Sequence, residues 1–384
     1  MTSPLEEILR LRKGVPFVPD DSFRNRYTVA AAEPGGGRTF YCFSRPIRDE
    51  VTGKLFDPSF CREGDAVAVK GGAVRVRLDR TGAELCDRFI VCRIGLSIRH
   101  TTPVQLSERR VLCGRTVLTP TGYGLCVEAP SGKEGFAFSL ATDRPQAQIN
   151  DNPKCFALLR EPHTPYLTVS CIGAVNAEGR VTAPARIFYD RDADGRYLLR
   201  IGREGKAGGR VRFEINLYAP KLLRDTTVES RHPGENNAFG GEAFPGRTEA
   251  FGEQWLYLTP DTEKLPDPGC RPIRRVLLHF ARHNAAPCRL RACRVAERFC
   301  SFGATWNSRK AESKALPPPT EEDGDLCVDV TDLLTDENGR LCPSDGLILR
   351  GEGQRRFAAI GTGDSYVSPV VLEIRCGSPD GRLM

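Results

Sequence analysis

Three aspartates alternate with other residues in the stretch DRDADG, residues 190–195. Carboxylates at this spacing can converge on a calcium ion, so Asp190, Asp192 and Asp194 are candidate calcium ligands. The twelfth position is Ile201, where a helix–loop–helix calcium site needs Glu, and the flanking segments RIFY and RYLLRI are strand-like. A hairpin turn built on the Asp-Gly pair is therefore the alternative.

The only two tryptophans of the chain lie at positions 255 and 306. An indole can stack on the apolar face of a sugar while nearby amide or guanidinium groups bond its hydroxyls. Trp306 and Asn307, at the start of an inserted segment, are candidate ligand-binding residues. In the run WLYL, alternation places Trp255 and Tyr257 on one face of a strand, for which the core is the simpler location.

Four polar residues near the C-terminus complete the candidate ligand site. Arg355 and Arg356 precede the last strands, and Asp364 and Tyr366 follow in a second loop, so all four can line one loop-end of a sandwich. Arginine suits an acidic sugar because guanidinium pairs with carboxylate in a bidentate manner. Solvated loop charges are the alternative.

Neither the sequence motifs nor the histidine and cysteine spacings indicate catalysis. The chain contains no G-x-S-x-G, G-x-x-x-x-G-K-[ST] or H-E-x-x-H pattern. His100 and His283 each follow Arg in two similar stretches, RHTTPVQLSERRV and RHNAAPCRLRACRV, which favours a structural role. The cysteines do not have a zinc-ligand spacing. We therefore expect a protein that is not an enzyme and needs no cofactor, calcium aside.

Composition restricts the partners. The 55 Lys and Arg and 49 Asp and Glu, net charge +6, are mixed along the chain, so no basic stripe suggests nucleic acid. No apolar run has transmembrane length and no signal peptide precedes the chain, so we expect no membrane partner. Cytoplasmic synthesis is expected, with virion association or later release as options, and the 15 cysteines are expected to be mostly reduced thiols.

Similar blocks recur in the same order in the two halves of the chain. GLCVEA is followed by GFAFSL and PYLTVSC in the first half, and DLCVDV by GLILRG and PVVLEIRC in the second. This order indicates an internal duplication. It predicts one unit at residues 15–172, a linker at 173–183 and a second unit at 184–384.

Short alternating runs bounded by Gly, Pro, Asn and Asp predict strands rather than helices. The fold class expected is all-β, with two tandem β-sandwich or jelly-roll domains. The N-terminus is the exception, because Ser3, Pro4 and Glu6 form a capping pattern before an apolar stripe, which predicts a short helix within residues 1–14. This helix can dock on the protein itself or on a partner.

The second unit resembles DNRLRE-type domains over residues 222–376. The likeness rests on LLRDTTVESRHPGENNAFGG, then WLYL, RRVLLHF, TWN, VDVT, GLILRG and PVVLEI in that family's order. Residues 15–172 look like a diverged copy. The family is similar to carbohydrate-binding modules with a β-jelly roll, and some members bind acidic polysaccharides such as alginate.

These observations together predict a non-catalytic recognition protein that binds a glycan or cell-surface polysaccharide through a β-sandwich. The alternative is a structural or adhesion component of a phage virion or bacterial surface assembly. In that role the N-terminal helix would contact a virion partner or a second copy of the chain.

Overall fold

Alternating apolar residues and frequent turn residues give the chain a predominantly β structure, with 51% strand and 5% helix. The computed structural model describes residues 3–20, 22–23, 25–79, 81–96, 105–144, 148–203, 209–285, 288–322, 324–353 and 356–378. Among these residues, no helix is long and apolar enough to cross a membrane. The mostly-β prediction is confirmed.

The first half of the chain contains one α-helix and sixteen strands within the described residues. They are α1 (Pro4–Leu11), β1 (Val18–Pro19), β2 (Thr28–Ala32), β3 (Arg38–Phe43), β4 (Ser59–Glu63), β5 (Ala66–Lys70), β6 (Arg75–Asp79), β7 (Gly82–Cys86), β8 (Val91–Leu96), β9 (Gln105–Leu106), β10 (Val111–Cys113), β11 (Thr116–Pro120), β12 (Gly124–Pro130), β13 (Phe136–Thr142), β14 (Gln148–Asn152), β15 (Cys155–Glu161) and β16 (Thr164–Val175).

The second half continues with sixteen further strands and one helical turn, counted over the same described residues. They are β17 (Val181–Ala183), β18 (Arg186–Arg191), β19 (Tyr197–Gly202), β20 (Arg210–Leu217), β21 (Leu223–Glu229), β22 (Glu242–Ala243), β23 (Gly246–Thr248), β24 (Gly252–Pro260), β25 (Ile273–Ala281), β26 (Arg289–Val295), β27 (Glu312–Ala315), β28 (Thr320–Glu322), β29 (Asp325–Asp329), α2 (Thr331–Leu334), β30 (Leu347–Glu352), β31 (Ile360–Gly361) and β32 (Val371–Cys376).

Two antiparallel sheets, here called the first sheet pair, share one hydrophobic core. One sheet has the order β14-β15-β16-β20-β12-β11-β10-β9 with β17 beside β16, and the other has the order β18-β19-β13-β8-β7-β6-β5-β4. Leu125, Val127 and Phe213 enter the core from the first of these sheets, and Leu85 and Ile94 enter it from the second. Each such buried side chain contributes about 1.5–3 kcal/mol to stability.

Two other antiparallel sheets, the second sheet pair, enclose a separate core. Their orders are β1-β2-β3-β32-β25-β29-β28 and β21-β24-β30-β26-β27, with β23 beside β24. Phe40 and Val276 point into this core from the seven-stranded sheet, and Leu256 and Leu349 point into it from the sheet that contains β24. Each sheet pair therefore has its own core. Neither sheet pair corresponds to one half of the sequence.

The sheets cross the predicted domain boundaries. In the first predicted unit, β2 and β3 belong to the second sheet pair, where Phe40 lies opposite Ile374 of β32. In the second predicted unit, β18, β19 and β20 belong to the first sheet pair. Boundaries at residues 172 and 184 therefore separate strands that share a sheet. The reason is that a strand pairs where its apolar face is buried, which need not be near it in sequence.

The predicted linker at 173–183 also belongs to a sheet. β16 continues to Val175, and β17 pairs with it, with Ala174 opposite Ala183. The first sheet pair is thus formed by residues 59–217, and the second by residues 18–43 together with 223–376.

Strand pairing does not repeat between the blocks that suggested a duplication. β25 pairs with β29 and β32. The strands aligned with them in the first half, β8, β12 and β16, do not pair in this way, because β8 pairs with β7 and β13, and β12 pairs with β11 and β20. The similar blocks therefore share a pattern of alternating strand residues. The strand pairing does not support the prediction that one fold is repeated.

The predicted N-terminal helix is confirmed. Ser3 Oγ accepts from the backbone N–H of Glu6 at 3.3 Å, and the Glu6 carboxylate accepts from the Ser3 N–H at 2.7 Å, so the capping box is closed. Ile8 is fully buried against the outer face of the seven-stranded sheet, and Arg10 pairs with Asp325 at 2.7 Å. The helix therefore docks on its own chain.

Candidate functional site

A partly exposed aromatic surface, formed by Trp255, Trp306 and Arg309, covers the outer face of the sheet that contains β24. Along β24, Leu256 points into the second core, whereas Trp255 and Tyr257 point the opposite way. The two aromatic residues do share a face, as predicted, but this face lies outside the main core. Tyr257 is buried in a smaller cluster there, and Trp255 keeps part of its ring exposed.

The two indoles contact each other edge to face. Their ring centroids are 5.5 Å apart with the planes at 62°. The Arg309 guanidinium lies 4.3 Å from the Trp306 ring centroid and 5.5 Å from that of Trp255. It also donates to the Trp306 carbonyl at 2.7 Å, which fixes the cation beside both rings.

The loop that carries Trp306 is held in place by one amide side chain and by backbone hydrogen bonds. Asn236 Nδ2 donates to the carbonyls of Ser301 at 2.8 Å and Ala304 at 2.7 Å. The backbone N–H of Asn307 donates to the Pro233 carbonyl at 3.0 Å, which leaves the exposed side chain of Asn307 next to the aromatic surface. The indole position is therefore set by the fold before any ligand arrives.

Polar groups border the same rings. Trp255 Nε1 donates to the Glu253 carboxylate at 2.8 Å, and the Arg350 guanidinium lies 5.7 Å from the Trp255 ring centroid. Nearby, a groove of about 540 Å³ is bordered by Arg224, Asp261 and Phe299. Phe299 also packs on Tyr257, with centroids 5.3 Å apart, so the groove adjoins the aromatic cluster below the surface.

The remaining predicted ligand residues are not brought to this surface. Asn307 lies beside Trp306, but Arg356 is exposed near β23, where its carbonyl accepts from the Arg247 N–H at 2.8 Å. Asp364 and Tyr366 are each 3% exposed and lie in the interior. Arg355 lies outside the described residues.

Asp364 belongs to a buried ionic cluster rather than to a ligand-binding loop. Its carboxylate pairs with Arg45 at 2.6 Å and with Lys221 at 2.6 Å. Lys221 also pairs with Asp225 at 3.3 Å. Burial raises the pKa of Asp225 to about 7, against the lowering effect of Lys221. These groups stabilise one another and are closed to solvent.

The three aspartates of the DRDADG stretch form a hairpin turn between β18 and β19. The Asp192 carboxylate accepts from the backbone N–H of Asp194 at 3.0 Å and from that of Arg196 at 2.9 Å. The Arg196 guanidinium pairs with Asp192 and Asp194, both at 2.7 Å, and Asp190 accepts from a neighbouring backbone N–H. No group of three or more His, Cys, Asp or Glu in the described residues could hold a metal ion. This geometry favours the hairpin alternative over calcium.

A second cluster joins three residues that the sequence did not connect. Glu242, His283 and Ser368 form a continuous hydrogen-bonded chain, in which His283 Nδ1 contacts the carboxylate and Nε2 contacts the hydroxyl. Glu242 is 41 residues before His283, and Ser368 is 85 residues after it. Only the recurring Arg-His pair drew attention to His283 in the sequence, and no motif indicated the other two residues. His100 lies outside the described residues.

The comparisons with known proteins do not place this chain in a family. No family model matches the chain, and no curated protein matches it. Among solved structures, the GH31 alpha-xylosidase from Xanthomonas citri aligns with 94% of this chain and 38% of its own chain, at 9% sequence identity and a TM-score of 0.11. The chain thus spans less than half of that enzyme, and a likeness this low indicates neither a shared fold nor a shared activity. The resemblance to DNRLRE-type domains stays a prediction.

Proposed function

We propose that this protein recognises carbohydrate, and that its two sheet pairs are two β-sandwich bodies of which the second carries the binding face. The observation that carries the proposal is the aromatic surface, where both tryptophans of the chain meet around one guanidinium. A pair of partly exposed indoles on a protein surface is a feature of ligand-binding sites, because the exposed apolar area is stabilised when a ligand covers it.

The groups at this surface match the chemistry of a sugar ring. Apolar C–H faces of a pyranose stack on the Trp306 indole, and the Asn307 amide can both donate to and accept from hydroxyls. The Glu253 carboxylate, which accepts from Trp255 Nε1, has further lone pairs that can accept hydrogen bonds from sugar hydroxyls. Binding of this kind is reversible, and no bond is made or broken.

The charge at the surface favours an acidic sugar. Arg309 lies over both indoles and is the cation proposed to bind the sugar, because Arg350 is already paired with Glu312. A guanidinium pairs with a carboxylate through two parallel hydrogen bonds. A uronic-acid polymer satisfies stacking and ion pairing together, whereas a neutral glucan satisfies only stacking. The affinity of the protein for the acidic polymer should therefore decrease as the salt concentration increases.

Affinity electrophoresis through gels that contain alginate, with a neutral β-glucan gel for comparison, tests the proposal. The wild-type chain should be retarded by alginate more than by the glucan. Trp306→Ala should weaken binding about tenfold or more, which corresponds to about 1.4 kcal/mol. Phe89→Ala removes an exposed aromatic ring at a site far from the proposed surface in sequence, and serves as the matched control.

Equal retardation of the wild type and Trp306→Ala in every gel contradicts the proposal. So does the absence of retardation across a panel of acidic and neutral polysaccharides. A structural role in a virion or bacterial surface assembly has less support, because Ile8 of α1 is buried on its own chain and Leu5 and Leu11 pack beside it.

A further inference from the structure

The hydrogen-bonded chain of Glu242, His283 and Ser368 ends in a cavity. His283 Nδ1 lies 2.8 and 2.9 Å from the two carboxylate oxygens of Glu242, and its Nε2 lies 2.9 Å from Ser368 Oγ. The carboxylate is fully buried, whereas the hydroxyl borders a cavity of about 470 Å³ together with His283. Carboxylate, imidazole and hydroxyl in this order are the groups that activate a serine nucleophile.

We propose that Ser368 is the nucleophile of a serine acyl-hydrolase site in this cavity, with His283 as general base and Glu242 as the positioning residue. The proposal goes beyond carbohydrate recognition and does not depend on it. It replaces the expectation of a protein without catalytic activity.

Separate elements hold the three groups in place. Glu242 lies in β22, opposite Gly361 of β31. The backbone of His283 is fixed on both sides, since its N–H donates to the Ala359 carbonyl at 2.8 Å and its carbonyl accepts from the Val181 N–H at 2.7 Å. The histidine is thus anchored to β17 of the first sheet pair and to the residue before β31, and such support from the fold is what a preorganised site requires.

The loop before Ser368 is held by one buried carboxylate. Glu214 of β20 accepts from the backbone N–H of Tyr366 at 2.8 Å and from the Ser365 hydroxyl at 2.9 Å. Ser365 Oγ in turn accepts from the Ser368 N–H at 3.0 Å. A Cβ at Gly361 would lie 2.3 Å from the Ser368 carbonyl, so the glycine permits this close approach.

The cavity indicates the substrate class. Its wall contains Phe43, Ile47, Phe56 and Val367, so it suits an apolar acyl group, and its volume lies in the usual range for small-molecule sites. Arg282 also borders the cavity, where its guanidinium is paired with Glu321. A carboxylic ester with a short apolar acyl chain fits this lining.

The reaction follows from these positions. Ser368 Oγ adds to the ester carbonyl carbon while its proton passes to His283 Nε2, and Glu242 holds the Nδ1–H and stabilises the imidazolium. The bond to the alcohol then breaks, and His283 returns the proton to the leaving oxygen. Water adds to the acyl-serine in the same way, which releases the carboxylic acid and restores the Ser368 hydroxyl.

A fluorophosphonate probe with the full chain tests the assignment directly. Peptide mapping by mass spectrometry should find the phosphonyl adduct on Ser368, at close to one equivalent per chain. Ser368→Ala removes a single oxygen, so it should keep the fold while losing the adduct and lowering p-nitrophenyl butyrate hydrolysis at least 100-fold. Ser107→Ala, at an exposed turn serine, is the control that keeps both.

The variant Glu242→Gln tests whether Glu242 positions His283 or only fills space in the core. Only a positioning role should change the pH profile of hydrolysis. Burial opposes protonation of His283, but Glu242 outweighs it and raises the pKa of this histidine, so the wild-type rate should increase toward alkaline pH. The amide should shift this increase to lower pH and reduce the maximal rate at least 100-fold. The charged groups that act on His283 or line the same cavity are Glu242, Arg212, Glu214, Glu7, Arg10, Arg45, Arg282 and Asp325.

The proposal is wrong if folded wild-type protein gains no adduct on Ser368. It is equally wrong if Ser368→Ala hydrolyses the ester as fast as wild type, or if Glu242→Gln leaves both rate and pH profile unchanged. Circular dichroism of each variant establishes that the fold is retained. Glycan retardation is measured separately, so failure of this site leaves the carbohydrate proposal intact.

Discussion

Replacing Asp364 with Asn should destabilise the protein strongly, because two buried cations share its carboxylate. Arg45 and Lys221 each approach Asp364 at 2.6 Å, and their side chains are only 4% and 5% exposed. In the variant, Lys221 keeps Asp225 as a carboxylate partner at 3.3 Å, whereas Arg45 keeps the backbone carbonyls of Ala219 and residue 364. Removing one member of a buried ion pair costs about 3–5 kcal/mol, and we expect a loss in this range.

Urea unfolding followed by far-UV and near-UV circular dichroism measures this loss. Asp190→Asn, which removes an exposed hairpin carboxylate, is the matched control and should change the free energy of unfolding by less than about 0.5 kcal/mol. Adding Lys221→Met to Asp364→Asn removes the uncompensated cation. The double variant should therefore lose less than the sum of the two single losses, by about 1 kcal/mol or more.

Two results would refute this reasoning. A loss below about 1 kcal/mol for Asp364→Asn would mean that the two cations find water or another partner. Simple additivity of Asp364→Asn and Lys221→Met would mean that these residues do not interact. Either result would contradict the buried ion pairs between Asp364 and the two cations.

Two further predictions concern titration and thiols. Burial opposes protonation of His279, but hydrogen bonds to Cys327 and Glu373 outweigh this effect and raise the pKa of the imidazole to about 9. The stabilisation from the protonated ring is therefore complete below about pH 6.5 and is lost as the pH rises to about 9. The free energy of unfolding of wild type should therefore fall more steeply over this interval than that of His279→Gln, and parallel urea-midpoint curves would contradict the assignment. All 15 cysteines are unbridged, and only Cys270 and Cys300 are exposed. A thiol reagent should therefore modify these two cysteines first in the native protein. Early modification of a buried cysteine would contradict this packing.

Local features of the fold could be predicted from the sequence, because they depend on neighbouring residues alone. The helix at Pro4–Leu11 follows from its capping pattern. Alternation in LCVDV correctly places Leu326 and Val328 in the core, and WLYL correctly places Trp255 and Tyr257 on one shared face. In both runs, period two determines the face of a strand.

Strand partners could not be predicted in the same way. Phe40 of β3 lies opposite Ile374 of β32, and no local pattern links two strands at opposite ends of the chain. The alternation of apolar and polar residues shows which face of a strand is buried, but it does not show which sheet covers that face. Domain boundaries drawn from similar blocks consequently separated strands that share a sheet.

The candidate sites depend on this long-range pairing. Trp306 and Asn307 lie together because they are adjacent in sequence, and their role in ligand binding stays a prediction. Asp364 was assigned to an exposed loop but is buried against Arg45. The approach of Glu242 and Ser368 to His283 arises only once β22 pairs with β31. Such spatial groupings have no sequence motif.

Intrinsic fluorescence provides the most direct measurement of carbohydrate binding, because Trp255 and Trp306 are the only tryptophans in the chain and both lie in the proposed surface. Titration with alginate oligosaccharides should shift the emission to shorter wavelength and saturate, and Trp306→Phe should reduce the change at least twofold while Phe89→Ala leaves it intact. An emission spectrum that stays constant while an independent method detects bound oligosaccharide would show that the glycan binds elsewhere.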